Sequence, residues 1–388
     1  MIKFVKLKFI IFFKFFLKIY IKIFKLSFSI ISRFTNKSNT ELKFFFLNSF
    51  FYKDVRNGNI TIHHVNESNL KIKNSEKEYT IIGPWLSEIG YEILYWVPFL
   101  KKHLEHLIQD KNKKFIVISR GGVKNWYSFL ENFEYFEIFD LDKKKIFKHL
   151  SQRKNSLSQK QWDFSKLDNY YLKQVCEKKN LNKDDCLIIH PSVLFRNLKP
   201  YLNGNLAPNY VFKYLNHSNN SFVINLDQGL DYLKPFVAIK LYESSILRLK
   251  KNESFFIDKI NLVLNKLDRK YKLVYLDFKI EDDHKDLVLN KSGHKTYSIN
   301  DVYSNINESN NIYLQDNLIQ NSEFLVSTYG GFCYLPSFYK KKCIALLNGN
   351  YKIINRHEFI SNEILNNKID LINLNYDEKI IKNILDNY

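Results

Sequence analysis

Cysteine is scarce in this sequence, and the spacing of the cysteines excludes two kinds of site. The 388 residues contain four cysteines, none of them in a Cys-x-x-Cys pair: Cys176, Cys186, Cys333 and Cys343. Such spacing supports neither a zinc site nor a framework of disulfide bonds. We therefore expect reduced, mostly buried thiols, as in proteins of the cytosol.

Short motifs of several enzyme classes are absent as well. The chain has no Gly-x-Ser-x-Gly, His-Glu-x-x-His or Gly-x-Gly-x-x-Gly motif and no Walker A motif, so the enzymes that depend on them are disfavoured. It also has no signature of an RNA- or DNA-binding domain. We therefore expect no nucleic acid among its partners, and the sequence predicts no metal site.

Positive charge is what the sequence has in excess. The formal net charge is +19, whereas the hydrophobic fraction of 45% is normal for a globular protein. The charge has three explanations: a solvated basic surface in a lysine-rich composition, binding to an anionic membrane surface, or binding of anionic substrates. The length of 388 residues predicts about two domains.

The first 34 residues are apolar but interrupted by lysines at helical spacing. The lysines that share one helical face are Lys3, Lys14, Lys18, Lys22 and Lys25. A membrane-spanning helix would not tolerate a lysine in every turn, and a signal peptide would have a longer lysine-free core. We predict that residues 1–35 form an amphipathic helix on the inner face of the cytoplasmic membrane. The alternative is an ordinary leader, or an upstream start codon in a lysine-rich frame.

From residue 79 onward, apolar strands alternate with helical segments. The predicted strands are 80–83, 114–119, 136–141, 186–190, 236–242, 271–278, 311–314, 324–326 and 343–347. The predicted helices include 92–108, 124–132, 159–179, 255–267 and 332–339. This alternation implies parallel sheets with covered faces. The predicted divisions are a linker or edge at 36–78, Rossmann-like domains at 79–230 and 231–360, and a C-terminal return segment at 361–388. We expect the last helix to pack across the first domain.

In this prediction, strands of both domains end at clusters of polar residues. The clusters are Ser87-Glu88, Arg120-Gly121-Gly122 and His190-Pro191-Ser192 in the first domain, and Lys240 with Tyr242, Asp282-Asp283-His284 and Ser327 to Gly331 in the second. The carboxyl ends of parallel strands share one edge of a sheet, which is where open α/β sheets bind ligands. Two such edges that face each other would form a cleft between the domains.

Two of these residues are candidates for acid–base catalysis. Glu88 lies in the first strand-to-helix loop, which suits a base that removes a proton from an acceptor hydroxyl. Its alternative role is that of a carboxylate stabilised at a helix N-terminus. His190 is a candidate general base near neutral pH. Its alternative is a structural histidine before a proline.

Four further residues are candidates for contacts with a ligand. Arg120 beside two glycines suits a bidentate clamp on phosphate or carboxylate, unless it is a surface arginine in a turn. Lys240 at a strand end suits a diphosphate, unless it extends to the sheet edge. Asp283 and His284 are more plausible as contacts to a ribose or sugar hydroxyl than as metal ligands, because three consecutive residues rarely face one ion. The alternative for both residues is a solvated acidic turn that contacts no ligand.

The turn after the predicted strand 324–326 has the residue types of an anion site. Gly330 and Gly331 allow close approach of the backbone to a ligand, and N–H groups at the start of the next helix favour anions. The hydroxyls of Ser327 and Thr328 suit phosphate oxygens, and Tyr329 completes the turn. The alternative is a tight turn that serves only to reverse the chain.

The layout of these motifs over residues 79–350 resembles a GT-B-type glycosyltransferase. The glycine-bracketed loop with Glu88 looks like the acceptor-side loop of lipopolysaccharide heptosyltransferase-like enzymes. The Ser327 to Gly331 turn looks like the nucleotide-diphosphate turn of their second domain. One departure is that this chain has glutamate at the base position where those enzymes usually have aspartate, so the identity of the donor is not carried over.

The resemblance implies an α/β fold of two Rossmann-like domains facing across a cleft, preceded by the N-terminal amphipathic helix. The first would be the acceptor domain and the second the nucleotide-sugar domain. Glu88 would act as the base, and Lys240 with the glycine turn would bind the donor diphosphate without a metal or other cofactor. The implied partners are a nucleotide-diphosphate sugar, a glycan or lipid-linked acceptor and an anionic membrane surface. The alternatives are a pyruvyl or phosphoryl-sugar transferase and a non-catalytic binding module.

Overall fold

The computed structural model describes most of the chain from Ile72 to the C-terminus. The described residues are 72, 75–155, 161–202, 208–216, 222, 228–243, 247, 253–278, 286–287, 296–349, 352–365 and 369–388. The predicted N-terminal amphipathic helix lies outside these ranges, and so do Asp283 and His284. No helix within the ranges is both long enough and apolar enough to cross a membrane.

The first unit is built on a four-stranded parallel sheet. Its strands are β1 (Tyr79–Ile82), β2 (Lys114–Ser119), β3 (Phe133–Glu137) and β4 (Cys186–Ile189). They lie in the order β3-β2-β1-β4, so β1 is central and pairs with both β2 and β4. Neither Ile81 nor Ile82 is exposed. A strand buried on both faces is what a parallel sheet covered by helices requires.

The helices of the first unit connect and cover these strands. They are α1 (Ile89–Tyr91), a π-helical segment (Glu92–Trp96), α2 (Val97–His103), α3 (Glu105–Ile108), α4 (Ile138–Asn155), α5 (Lys166–Lys179), α6 (Ser192–Leu202) and α7 (Pro208–Val211), with 3₁₀ turns at Val123–Tyr127 and Lys183–Asp185. The sequence fixes the ends of α5 locally. It begins at a capping box of Ser165 and Asp168 and ends at Asn180 in the left-handed conformation.

The second unit is built on a six-stranded parallel sheet. Its strands are β5 (Phe236–Lys240), β6 (Lys272–Tyr275), β7 (Thr296–Ser298), β8 (Phe324–Thr328), β9 (Lys342–Leu347) and β10 (Ile369–Asn373). They lie in the order β10-β9-β8-β5-β6-β7. The helices are α8 (Glu253–Leu267), α9 (Ile299–Val302), α10 (Asn311–Asn321), α11 (Lys352–Leu365) and α12 (Glu378–Leu385), with 3₁₀ helices at Gln228–Leu233 and Gly331–Tyr339.

The predicted fold class is confirmed for the two α/β units. All neighbouring strands in both sheets pair in parallel. One apolar cluster contains Trp85 and Trp96 of the first unit together with Phe332 and Phe338 of the second. The units therefore share buried apolar surface beside the cavity described below. The predicted domain boundaries stay predictions.

Two predicted strands are wrong. The third strand is Phe133–Glu137, and residues 138–141 of the predicted strand already belong to α4. The apolar run there continues from the strand into the helix, so hydrophobicity alone did not locate the boundary. The predicted strand 311–314 is the first turn of α10. Its apolar residues continue at helical spacing to Leu318 and Ile319, both without exposed area.

The C-terminal helix does not pack across the first unit as predicted. α12 packs on α8, where Ile381 and Leu385 join the apolar cluster of the second sheet. In this C-terminal part of the chain, α11 is the helix that contacts the first unit. There, Tyr201 donates a hydrogen bond to Arg356 O at 2.8 Å, and Tyr95 Oη lies 2.6 Å from His357 Nδ1. The helix that contacts the first unit is therefore α11, whereas the sequence predicted this contact for the last helix, α12.

Candidate active site

A cavity lies between the two units at the carboxyl ends of β1, β2 and β5. We call it the cleft, and it is lined by Glu88, Ile89, Gly90, Arg120 and Phe139 of the first unit and by Lys240, Tyr242, Phe278, Asp286, Asn311, Ile312, Gln315, Gly331 and Phe332 of the second. Its empty space is about 730 Å³ with the solvent at its open side included, but only about 70 Å³ admits the centre of a water molecule. The cleft is therefore narrow.

Glu88 reaches the cleft because of a sharp turn after β1. Gly83 has φ 107°, and a Cβ there would lie 2.4 Å from Ile118 O, so a side chain at this position would be strained. The loop then ends at Glu88, whose backbone oxygen accepts hydrogen bonds from the N–H groups of Tyr91 and Glu92 at 3.2 Å each. The carboxylate is half-buried at the start of α1. Glu88 therefore lies in the loop between β1 and α1, and it lines the cleft.

Arg120 is buried and holds the loop that carries Glu88. Its exposed fraction is 2%, and Nη2 donates a hydrogen bond to Ser87 O at 3.0 Å. The next two residues, Gly121 and Gly122, both have φ 79°. A Cβ on Gly121 would lie 2.4 Å from a side-chain carbon of Ile312 in α10. This segment thus fastens the Glu88 loop on one side and contacts the second unit on the other.

Glu92 is a buried carboxylate directly behind this loop. Its Oε1 accepts hydrogen bonds from Ser119 Oγ and Tyr127 Oη, each at 2.6 Å. Burial raises the pKa of Glu92 to about 7, although these hydrogen bonds and the charge of Arg120 oppose the shift. Glu92 does not line the cleft. It ties the helical segment after Glu88 to the end of β2.

Lys240 and Asp286 form a buried ion pair on the wall contributed by the second unit. Lys240 Nζ donates to Leu276 O at 2.6 Å and lies 3.3 Å from Asp286 Oδ1. It also lies 5.4 Å from the centre of the Phe332 ring. Sequence reasoning identified Lys240 but missed Asp286. The only signal in the sequence was the acidic run that ends at Asp283, three residues before it.

The hydroxyls of the glycine turn are occupied within the second unit. Ser327 Oγ donates to Thr328 O at 2.8 Å, and Thr328 Oγ1 donates to Tyr242 O at 3.1 Å and accepts from Tyr242 N at 3.0 Å. Tyr329 Oη lies 2.6 Å from Tyr334 Oη. None of the three side chains at 327–329 lines the cleft. The contacts of Thr328 hold β8 to the segment that follows β5.

The two glycines of this turn allow backbones to meet. A Cβ on Gly330 would lie 1.9 Å from Tyr242 Oη, and one on Gly331 would lie 2.6 Å from Gly90 N. Gly331 lines the cleft together with Gly90. Two glycines from different units therefore touch at the wall of the cavity, where any larger residue would force the units apart.

His190 lies apart from the cleft. Its Nε2 is 3.3 Å from Asp168 Oδ2, and its Nδ1 accepts a hydrogen bond from Ser192 N at 3.1 Å. Burial alone would raise the pKa of Asp168, but His190 and Ser165 hold that pKa below its usual range. These contacts join the end of β4 to the capping box of α5. The catalytic role of His190 stays a prediction, and its contacts are those of a structural residue.

Comparisons with known proteins identify similar folds only. No protein-family model matches the chain, and no curated protein matches it in sequence. The E. coli heptosyltransferase WaaC with ADP matches with 12% identity over 80% of this chain and 99% of its own, at a TM-score of 0.42. The E. coli ADP-heptose lps heptosyltransferase II matches with 9% identity over the same shares, at 0.40. A putative UDP-N-acetylglucosamine 2-epimerase from Listeria monocytogenes matches with 10% identity over 80% and 88%, at 0.35.

The topology of the two sheets defines the fold class of the protein. Two parallel Rossmann-like sheets present their carboxyl ends to one cavity, which is the GT-B-like arrangement predicted from the sequence. The structures that match include both transferases and an epimerase. Likenesses this distant carry no argument about chemistry, because one fold supports many reactions.

Proposed function

We propose that the chain is a glycosyltransferase that moves a sugar from a nucleotide-diphosphate donor to a surface-glycan or lipid-linked acceptor, without a metal. The observation that carries this proposal is the cleft itself, in which Glu88 of one unit and Lys240 of the other line the same cavity. A candidate base and a candidate cation at the carboxyl ends of two parallel sheets match the needs of sugar transfer.

Glu88 is the proposed general base. Its carboxylate takes the proton of an acceptor hydroxyl while the hydroxyl oxygen forms a bond to the anomeric carbon of the donor sugar. The bond between that carbon and the diphosphate oxygen breaks, and the nucleoside diphosphate leaves. The hydrogen bond from Arg120 to Ser87 O fixes the backbone next to Glu88, which supports a defined position for the base.

Lys240 is the proposed cation for the leaving diphosphate. An ammonium group placed where negative charge develops stabilises the transition state without rearrangement. Its hydrogen bond to Leu276 O and its pairing with Asp286 hold it at the wall of the cleft. Gly331 lines the same cavity, so we propose that its backbone, rather than the hydroxyls of the turn, faces the donor. Ligand roles for Ser327, Thr328 and Tyr329 stay predictions.

The proposed place of action is the inner face of the cytoplasmic membrane. The support is the basic, apolar sequence of the first 34 residues together with the net charge of +19. Deletion of residues 1–34 is expected to release the protein from membranes to the soluble fraction. Unchanged membrane association of the shortened chain would show that this segment is not the anchor.

The proposed activity is tested in two stages. A thermal-shift panel of UDP, GDP, ADP and CMP and their sugars, with and without EDTA, is expected to show a nucleotide-selective rise in Tm that survives EDTA. Turnover of the selected donor is then measured with Glu88→Gln and Lys240→Ala. Glu88→Gln should lower kcat by about 100- to 10,000-fold with Tm unchanged, and Lys240→Ala should weaken binding of the diphosphate.

Matched controls are available for both substitutions. Glu105→Gln changes an exposed glutamate in α3, and Lys272→Ala changes a lysine at the opposite end of a neighbouring strand. Neither residue lines the cleft, so both variants should keep full activity. A fully active Glu88→Gln, Lys240→Ala double variant would overturn the assigned roles. Selective binding without turnover would instead indicate a non-catalytic module, and the product mass would reveal a pyruvyl or phosphoryl-sugar transfer.

A further inference from the structure

The wall of the cleft contains a pair of neutral amides that the proposed mechanism does not use. Asn311 and Gln315 lie one turn apart on α10, have exposed fractions of 3% and 2%, and both line the cleft. The Gln315 Nε2 group donates a hydrogen bond to Asn311 Oδ1. Neither residue was a candidate from the sequence, which predicted a strand at 311–314 where the structure has the first turn of α10.

Gln315 has a buried acceptor that the described part of the protein leaves unused. No hydrogen-bond donor among the described residues reaches Gln315 Oε1, although the atom is buried. Buried polar atoms without a partner are rare and costly, and at the wall of a ligand cavity they indicate a partner that arrives with the ligand. The amide oxygen accepts hydrogen bonds only, so this partner must carry an O–H or N–H group.

The helix that carries Gln315 is held on two sides. At its start, Tyr313 N donates to Gly121 O at 2.9 Å. Next to Gln315, the carboxylate of Asp316 accepts hydrogen bonds from Asn125 at 2.7 Å and from Trp126 at 3.0 Å. Both anchors come from the first unit. The amide is therefore preorganised in the cleft, as a residue that discriminates between ligands requires.

The chemistry of the cleft divides between charged and neutral groups. Lys240 matches the charge of a diphosphate, whereas an uncharged amide matches the neutral hydroxyls of a sugar. The same narrow cavity also contains Glu88, the proposed base, and the group next to the base in a transferase is the sugar being transferred. We propose that Gln315 is a specificity-determining residue that accepts a hydrogen bond from a hydroxyl of the donor sugar. This inference rests on the proposed function.

The test compares binding of donors with and without their sugar. Kd is measured by calorimetry for UDP-glucose, UDP-N-acetylglucosamine, GDP-mannose and ADP-glucose and for UDP, GDP and ADP. The readout is the ratio of the Kd of a diphosphate to that of its nucleotide sugar. Gln315→Met preserves the length of the side chain but removes the acceptor. It should raise the Kd of the nucleotide sugar about tenfold and leave the Kd of the parent diphosphate unchanged, so that the ratio of the two falls.

A control on the same helix separates recognition from stability. Asn317 is also a buried amide of α10, but it donates a hydrogen bond to Tyr303 Oη at 2.9 Å and does not line the cleft. Asn317→Leu should lower Tm and leave the ratio unchanged. An unchanged ratio in Gln315→Met would overturn the inference, and equal weakening of diphosphate and nucleotide sugar would assign the contact to the nucleoside instead. If the wild type binds no nucleotide, the proposed function itself fails, and this inference with it.

Discussion

The two units meet in two different ways, through a closed contact around Asp316 and across the cleft. Asp316 is fully buried, and its Oδ2 accepts hydrogen bonds from Asn125 and Trp126 of the first unit and from Tyr339 of the second, the last at 2.7 Å. Gln320 adds a longer one at 3.3 Å. One oxygen of this carboxylate thus accepts hydrogen bonds from neutral donors of both units, and Asp316 does not itself line the cleft.

The cleft differs in both charge and space. Its carboxylates, Glu88 and Asp286, and its cations, Arg120 and Lys240, surround an empty volume rather than a packed interior. Polar groups that neutral donors satisfy within a packed interface stabilise the assembly, whereas charged groups at a cavity wall retain their effect on a ligand. The contrast indicates which substitutions should affect stability and which should affect chemistry.

Loss of the closed contact should have the larger effect on stability. Asp316→Leu leaves four donors without their acceptor, three of them on buried residues. The expected loss is about 3 to 5 kcal/mol in the free energy of unfolding. Urea unfolding followed by fluorescence measures it. Asp316→Asn is the matched control, because it keeps an acceptor oxygen of the same size and should lose only about 1 kcal/mol.

The result of this experiment also tests the comparison itself. If Asp316→Leu unfolds at the same urea concentration as the wild type, then the closed contact does not hold the units together. The shared apolar cluster that includes Trp96 and Phe338 would then be the main source of the association. In that case the distinction between a stabilising contact and a ligand cavity would have no energetic basis.

Glu92 makes the stability of the protein depend on pH. Its pKa of about 7 in the folded protein lies above the ordinary value of 4.5, because burial disfavours the charged form. The folded state therefore binds the proton more tightly, so the contribution of Glu92 to stability falls as pH rises from 4.5 to 7. By linkage, the decrease is about 3 kcal/mol over this range.

Glu92→Gln isolates this contribution. Glu137 also has its pKa raised to about 7 by burial, and Asp316 to about 6, so stability of the wild type alone would mix three groups. The difference in unfolding free energy between wild type and Glu92→Gln removes the shared part. As pH rises from 4.5 to 7.5, we expect the free energy of unfolding of the wild type to fall relative to that of Glu92→Gln. A difference that is constant with pH would show that Glu92 is not buried as described.

The sequence predicted the scaffold of the cleft better than its wall. Parallel sheets place the ends of their strands at one edge, so Glu88, Arg120 and Lys240 were found by position along the chain alone. All three line one cavity in the structure, and their roles stay predictions. The ranges of β2 and β4 were also close to the prediction, because each is a short apolar run with polar residues on both sides.

Side-chain direction was not predictable from residue type. The hydroxyls of Ser327 and Thr328 suit phosphate in isolation, yet contacts within the second unit occupy them. Asp286 was missed because its partner Lys240 is distant in the sequence. Gln315 follows the strand predicted at 311–314, and only the helix that the structure has there places it one turn from Asn311 on the wall of the cleft.

The smallest effect expected is also the one that tests the cleft most directly. Asp286 lies 3.3 Å from Lys240 and partly neutralises the cation proposed to bind the diphosphate. Asp286→Asn removes that negative charge, while Leu276 O still orients the ammonium group. Affinity for the nucleoside diphosphate should therefore rise by about threefold to tenfold, as for removal of one negative charge that is partly screened at the wall of an open cavity.

A matched control exists at the end of the neighbouring strand, which makes the direction of this effect interpretable. Asp277 accepts a hydrogen bond from Ser298 and does not line the cleft, so Asp277→Asn should leave affinity unchanged. Weaker binding in Asp286→Asn would mean that the carboxylate positions Lys240 rather than competing with the ligand for it. Lys240 would then remain the cation for the diphosphate, and Asp286 would be a positioning residue for it.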